Sequence, residues 1–216
     1  MSASIAVWTP NRGVQTVRKA EPTRCASVLK PAYALVCEHP QWDSLAERSI
    51  TRSDNDATNE LTGRNVERLV DTLAARTDVI LEPAETWGRL LVNATDVVSI
   101  YAALMADECD KTSQVKNFMH SVVPAQRFGF HDPMKAGWDV YDSEDGKHHI
   151  VTNIVIFTHG GLVAAVSDKI VSYSTVQLWH MTLRNGPEAV IPIHSRLTRP
   201  NIRELVGFGI AKLTLP

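Results

Sequence analysis

The stretch WDVYDSEDGKHHIVTNIVIFTHGGLVAAVS, residues 138–167, decides the fold. Asp145-Gly146 and Gly160-Gly161 punctuate it, and Asn185-Gly186 follows downstream; each pair sits between strand-like residues. Two-residue hairpin loops need positive φ, which Asn-Gly, Asp-Gly and Gly-Gly adopt at little steric cost. The pattern therefore predicts an antiparallel meander. A loop at Asp145-Gly146 sets Asp142 opposite His149, Val140 opposite Val151 and Trp138 opposite Asn153. A loop at Gly160-Gly161 sets Phe157 opposite Ala164, Val155 opposite Val166 and Asn153 opposite Asp168. In the strand between the two loops, Ile150, Ile154 and Ile156 face one way and Val151, Val155 and Phe157 the other. Such a strand is buried on both faces, under helices or under a second copy of the chain.

Working outward, helical spacing recurs upstream of the meander. Leu61, Val66, Leu69, Val70 and Leu73 predict a helix running to about Ala75, and Val79 to Leu81 a short strand. Trp87, Leu90, Leu91, Ala94, Val98, Tyr101 and Met105 predict a helix from about Glu85 to Met105. Thr112 caps a third around Val115, Phe118 and Met119, and Asn201-x-x-Glu204 opens a short last one. Pro10, Pro22, Pro31 and Pro40 mark residues 1–56 as an irregular leader, with room for a hairpin at Asn11-Arg12-Gly13. The expected architecture is α+β: an antiparallel β-meander in the C-terminal third (137–216), packed against about three helices. One domain spans 57–216, its helical part being 57–123.

A hydrophobic fraction of 44% and a charged fraction of 21% in 216 residues exclude wholesale disorder. No run of about 18 apolar residues suits a membrane span. The N-terminus reaches Pro10 and Asn11 too soon for a secretory signal, so an intracellular protein is expected, with Cys25, Cys37 and Cys109 as reduced thiols. Charge is segregated: residues 1–37 carry five bases and one acid, whereas residues 38–110 carry six bases and fifteen acids. Arg12, Arg18, Lys19, Arg24 and Lys30 thus read as a basic arm for nucleic acid or a neighbouring subunit, with Arg196, Arg199 and Arg203 as a second cationic group.

Chemical motifs are sparse. G-x-S-x-G, G-x-G-x-x-G and H-E-x-x-H do not occur, and no metal or cofactor is expected. Asp142 opposite His149, with Asn153 and Asp168 on the same face, is a candidate acid/base pair. His180-Met181-Thr182-Leu183 resembles one half of the paired motif of two-histidine phosphoesterases, which implies His180 and Thr182 as site residues; no other histidine is followed at the second position by Ser or Thr. Segregated charge and missing chemistry favour a self-assembling homo-oligomeric structural protein, such as a viral coat, nucleocapsid or matrix-type subunit. The alternative is a small phosphoesterase-like hydrolase.

Overall fold

A computed structural model of the chain describes residues 3–63, 65–127, 130–142, 148–158 and 161–167. The protein is α+β. Five antiparallel strands form the main sheet in the order β2-β1-β7-β6-β5: β1 (Ala3–Thr9), β2 (Gly13–Arg18), β5 (Met134–Asp142), β6 (His148–Thr158) and β7 (Gly161–Ser167). Between the N-terminal hairpin and β5 lie helices α1 (Lys30–Val36), α2 (Trp42–Thr51), α3 (Asn55–Thr62), α4 (Val66–Thr77), α5 (Ala94–Met105) and α6 (Asp110–His120). A two-residue ladder of β3 (Thr23–Arg24) with β4 (Leu91–Val92) ties the approach to α1 to the approach to α5.

The leader is not an irregular arm. Gly13, with φ of 65°, closes the β1–β2 hairpin at the predicted place, and β1 then pairs along its length with β7, joining the two ends of the described chain. Pro31 begins α1 instead of breaking it, because the first turn of a helix has no use for that N–H. Every residue of α1 is buried, so the helical part starts near residue 30 rather than 57. The helix expected through Leu61 to Ala75 is two helices, separated where Gly63 takes the left-handed conformation with φ of 65°. The one expected from Glu85 begins only at Ala94, where Asn93 and Asp96 close a capping box; Trp87–Arg89 form a 3-10 turn and Leu91–Val92 a strand. Val79 to Leu81 form no strand.

The meander is present with altered registers. Thr158 pairs with Gly161, so Phe157 faces Leu162 and Val155 faces Ala164. Gly161 is a strand residue: a Cβ there would lie 1.8 Å from the Trp8 carbonyl oxygen, so the passage of β1 demands a glycine. In the preceding hairpin Val140 faces Ile150, Trp138 faces Thr152 and Gly137 faces Asn153. This one-residue slip from the predicted register sets the small Gly137, not an indole, beside the buried amide of Asn153. It also pairs Asp142 with His148 and Tyr141 with His149, so the proposed Asp142–His149 pair is not opposed. Both faces of β6 are buried, as its two-sided apolar pattern requires: Val151 and Val155 on one, Ile154 and Ile156 on the other. On the first face α5 packs against β1 and β7, with the Ser4 hydroxyl accepting the Ala94 N–H at 2.8 Å. No helix among the described residues is long and apolar enough to cross a membrane.

Candidate active site

Where β5, the edge strand among the described residues, meets the start of α1, three short segments distant in sequence converge beside a cleft of about 610 Å³. Ser27 and Asn55 line it, with Asn59, Trp87, Asp139 and Tyr141 among the other wall residues.

Ser27 lies in the turn entering α1, and the Lys30 N–H donates to its carbonyl at 3.3 Å. The turn is clamped from two sides. Cys25 N–H donates to Leu90 O at 2.7 Å and Ala26 N–H to Gly88 O at 2.9 Å, while the buried Asn153 amide donates to Arg24 O at 2.7 Å and Cys25 O at 2.9 Å. Ala26 is held with φ of 48°, a conformation costing a non-glycine residue about 1 kcal/mol or more. Such strain persists only where the surroundings over-determine the backbone, and here it fixes Ser27 at the cleft. Neither the Ser27 hydroxyl nor its N–H is used in a hydrogen bond among the described residues. The neighbouring Cys25 thiol is fully buried and pushed up to about 12 by that burial, so it stays protonated and inert.

Two buried lysines meet at Ser53. Lys30 Nζ donates to Ser53 O and to Asn55 Oδ1, both at 2.7 Å, and lies 4.8 Å from the centre of the Trp87 ring. Lys135 Nζ donates to Ser53 Oγ at 2.8 Å and to Ala136 O at 2.8 Å, with Gln126 Oε1 at 3.5 Å. Burial lowers Lys30 to about 7, partly countered by the Asp54 carboxylate. Burial, and then the charge of Lys30, hold Lys135 well below the usual lysine range. A neutral Lys30 amine has two N–H groups, both used by Ser53 and Asn55, which leaves its lone pair free to accept a proton. Ser53 itself has φ of 58° and is braced by Asp54, which caps α3 by accepting the Ala57 N–H at 3.0 Å and pairs with Arg48 at 2.6 Å.

Alternation along β5 supplies the rest of the wall. Lys135, Gly137, Asp139 and Tyr141 share the face that looks onto the α1 turn, and Asp139 pairs with Arg24 at 3.2 Å while the Arg24 guanidinium lies 3.5 Å from the Tyr141 ring centre. Gly137 permits contact with the serine turn: a Cβ there would be 2.4 Å from Ser27 N and 2.7 Å from Val28 N. Gly137→Ala is therefore expected to force β5 and the Ser27 turn apart, costing about 1–3 kcal/mol of stability. A displacement of about 1 Å at the reacting groups lowers turnover about 10²-fold. Chemical denaturation alongside single-turnover kinetics checks both effects; an alanine variant of unchanged rate would mean that this approach is not used.

The basic-arm residues scatter. Lys30 is a buried amine in the site and Arg24 a wall residue paired with Asp139, whereas Arg12 and Lys19 are exposed at the ends of β2, and Arg18 lies on β2 itself; none of these three lines the cleft. Asp142 lies at the end of β5 along the cleft, and His149 stands opposite Tyr141. His180, Thr182, Arg196, Arg199, Arg203, Asp168 and the Asn185-Gly186 turn lie outside the described residues, as does the predicted helix at Asn201. Sequence reasoning missed Ser27, Ser53, Lys135 and Gly137, and assigned Lys30 the wrong role. The available signal was a triplet: Ser27-x-x-Lys30, Ser53-Asp54-Asn55 and Lys135-Ala136-Gly137 follow in order the S-x-x-K, S-D-N and K-T-G segments of class A β-lactamases and penicillin-binding proteins, departing only at Ala136.

No protein-family model and no curated protein matches the sequence. Solved structures do match. L2 complexed with relebactam superposes with a TM-score of 0.57 at 13% identity, over 80% of this chain and 85% of that one. The class A beta-lactamase of the last common ancestor of Gram-negative bacteria gives 0.52 at 16% identity, over 80% and 87%. A halotolerant bacterial beta-lactamase gives 0.50 at 15%, over 79% and 86%. The chain thus has the fold of class A beta-lactamases. This overturns the expectation of a coat, nucleocapsid or matrix-type subunit, since these matched structures are beta-lactamases; of that expectation only the α+β description stands.

Proposed function

We propose that the protein is a serine acyl-transfer enzyme, a hydrolase that opens a reactive amide of the β-lactam class by forming an ester with Ser27. The observation that carries this reading is the Ser27 hydroxyl, unbonded among the described residues, in the turn that leads to Lys30, whose buried amine is joined through Ser53 to that of Lys135. Ser27 Oγ attacks the carbonyl carbon, and its proton passes to the neutral Lys30 amine. The carbonyl oxygen takes negative charge between the Ser27 N–H, unbonded among the described residues, and a main-chain N–H of the edge strand β5 beside Gly137, donors that need no reorganisation as the charge develops. The C–N bond then breaks. Its nitrogen takes the Ser53 hydroxyl proton, which Lys135 replaces through its 2.8 Å hydrogen bond. Two lysines with lowered basicity suit this relay, because each must give and take a proton.

The reading carries a pH signature. Lys30 must be neutral to act as base, and it titrates at about 7, so the rate of acylation is expected to rise as pH increases from 5 through about 7. Below that value the rate falls about tenfold per pH unit, following the neutral fraction. Stopped-flow measurement of acylation by a chromogenic cephalosporin between pH 5 and 9 checks this. A rate that does not rise between pH 5 and 7 would contradict Lys30 as base.

A further inference from the structure

Resting on Ser27 as the nucleophile, we infer that the ester outlives an ordinary turnover, because the buried indole of Trp87, and not a carboxylate, fills the cleft wall that faces Lys30. Hydrolysis of the ester needs a second nucleophile: a water loses a proton to a base and adds to the acyl carbon, the Ser27 Oγ–C bond breaks, and Oγ recovers a proton. The segment of residues 86–89 lines this side of the cleft, follows Glu82 and Glu85 in the chain, and buries its aromatic residue. Trp87 is buried, its Nε1 donates to Asn59 Oδ1 at 2.8 Å, its carbonyl accepts Tyr33 Oη at 2.8 Å, and its ring faces Lys30 Nζ at 4.8 Å. Both glutamates are exposed, and Glu85 is paired with Arg89.

The other carboxylates nearby are engaged, Asp142 at the end of β5 included. Asp139 holds Arg24, and Asp54 caps α3 and holds Arg48. Lys30 is thus the base next to Ser27 among the described residues, and acylation leaves it carrying the serine proton until the relay clears it. The indole, fixed by its bond to Asn59, fills that side of the cleft. Trp87 acts here as a positioning residue that decides the fate of the ester.

The test follows the intact protein by mass spectrometry after mixing with benzylpenicillin and rapid removal of the excess, with release of penicilloic acid measured in parallel. A general base contributes roughly 10²–10⁴-fold, so the wild-type adduct is expected to last on the order of minutes rather than a fraction of a second. Trp87→Glu, checked for a native near-ultraviolet circular dichroism spectrum, is expected to shorten that lifetime at least tenfold. Rapid release of many equivalents of product without a lasting adduct would overturn the inference and leave the Ser27 reading standing. Neither adduct nor product across penicillins, cephalosporins and carbapenems would overturn both. A folded Trp87→Glu protein with an unchanged lifetime would remove Trp87 from the explanation. The wild-type time course decides the question of persistence even where that variant fails to fold.

Discussion

Ser27→Ala is expected to lower the rate of β-lactam opening about 10³- to 10⁶-fold while leaving the protein as stable as the wild type. The first effect follows from loss of the group that forms the ester; what survives is cleavage aided by the cleft's donors alone. The second follows from the same observation that singles Ser27 out: its hydroxyl makes no hydrogen bond among the described residues, so deleting it leaves no orphaned partner. A change of this kind shifts stability by no more than about 0.5 kcal/mol. Parallel kinetics and thermal denaturation read the two outcomes. A variant that both unfolds and loses activity would imply that the hydroxyl has a structural role.

Lys30→Met separates the same two quantities differently. Loss of the base is expected to slow acylation about 10²–10⁴-fold, with the rise in rate through about pH 7 abolished. The thioether fills a similar volume but leaves Ser53 O and Asn55 Oδ1 without their shared donor, costing about 1–3 kcal/mol for each group left unsatisfied. Against this stands relief from burying an amine. Lys30 titrates at about 7 when folded and at 10.5 when free, so between these values the unfolded chain binds the extra proton and wild-type stability rises with pH. Below about 7 both states are protonated and the burial penalty is fully present. Lys30→Met should therefore show a flatter dependence of melting temperature on pH from 7 to 9, the remaining slope coming from Lys135, whose basicity is lowered in the same direction. An equally steep profile would mean that Lys30 is charged throughout.

The sheet was legible where local chemistry decides it. Gly13 closes the first hairpin because its φ of 65° is needed there, and the two-sided apolar run of β6 correctly requires cover on both faces. Registers were not legible, because a glycine can serve packing as well as turning: Gly161 is reserved for the passage of Trp8, and Gly137 for the serine turn. The leader misled for a related reason. Pro31 reads as a breaker although a helix tolerates proline at its start, and Lys30 reads as a contact for nucleic acid or a neighbouring subunit although its neighbours Val28, Leu29, Ala32 and Tyr33 are core residues. The site was written in the sequence, but in three short segments with Ser27, Ser53 and Lys135 far apart in the chain; none is distinctive alone. Their meaning is spatial, since it depends on two lysines converging on one serine.

That Ser27 forms the covalent bond is tested most directly by digesting the protein after reaction with benzylpenicillin and locating the adduct by tandem mass spectrometry. The expected result is a single modified residue, Ser27, with no adduct formed by Ser27→Ala. Modification of Ser53, of a lysine or of Cys109 in its place would contradict the account.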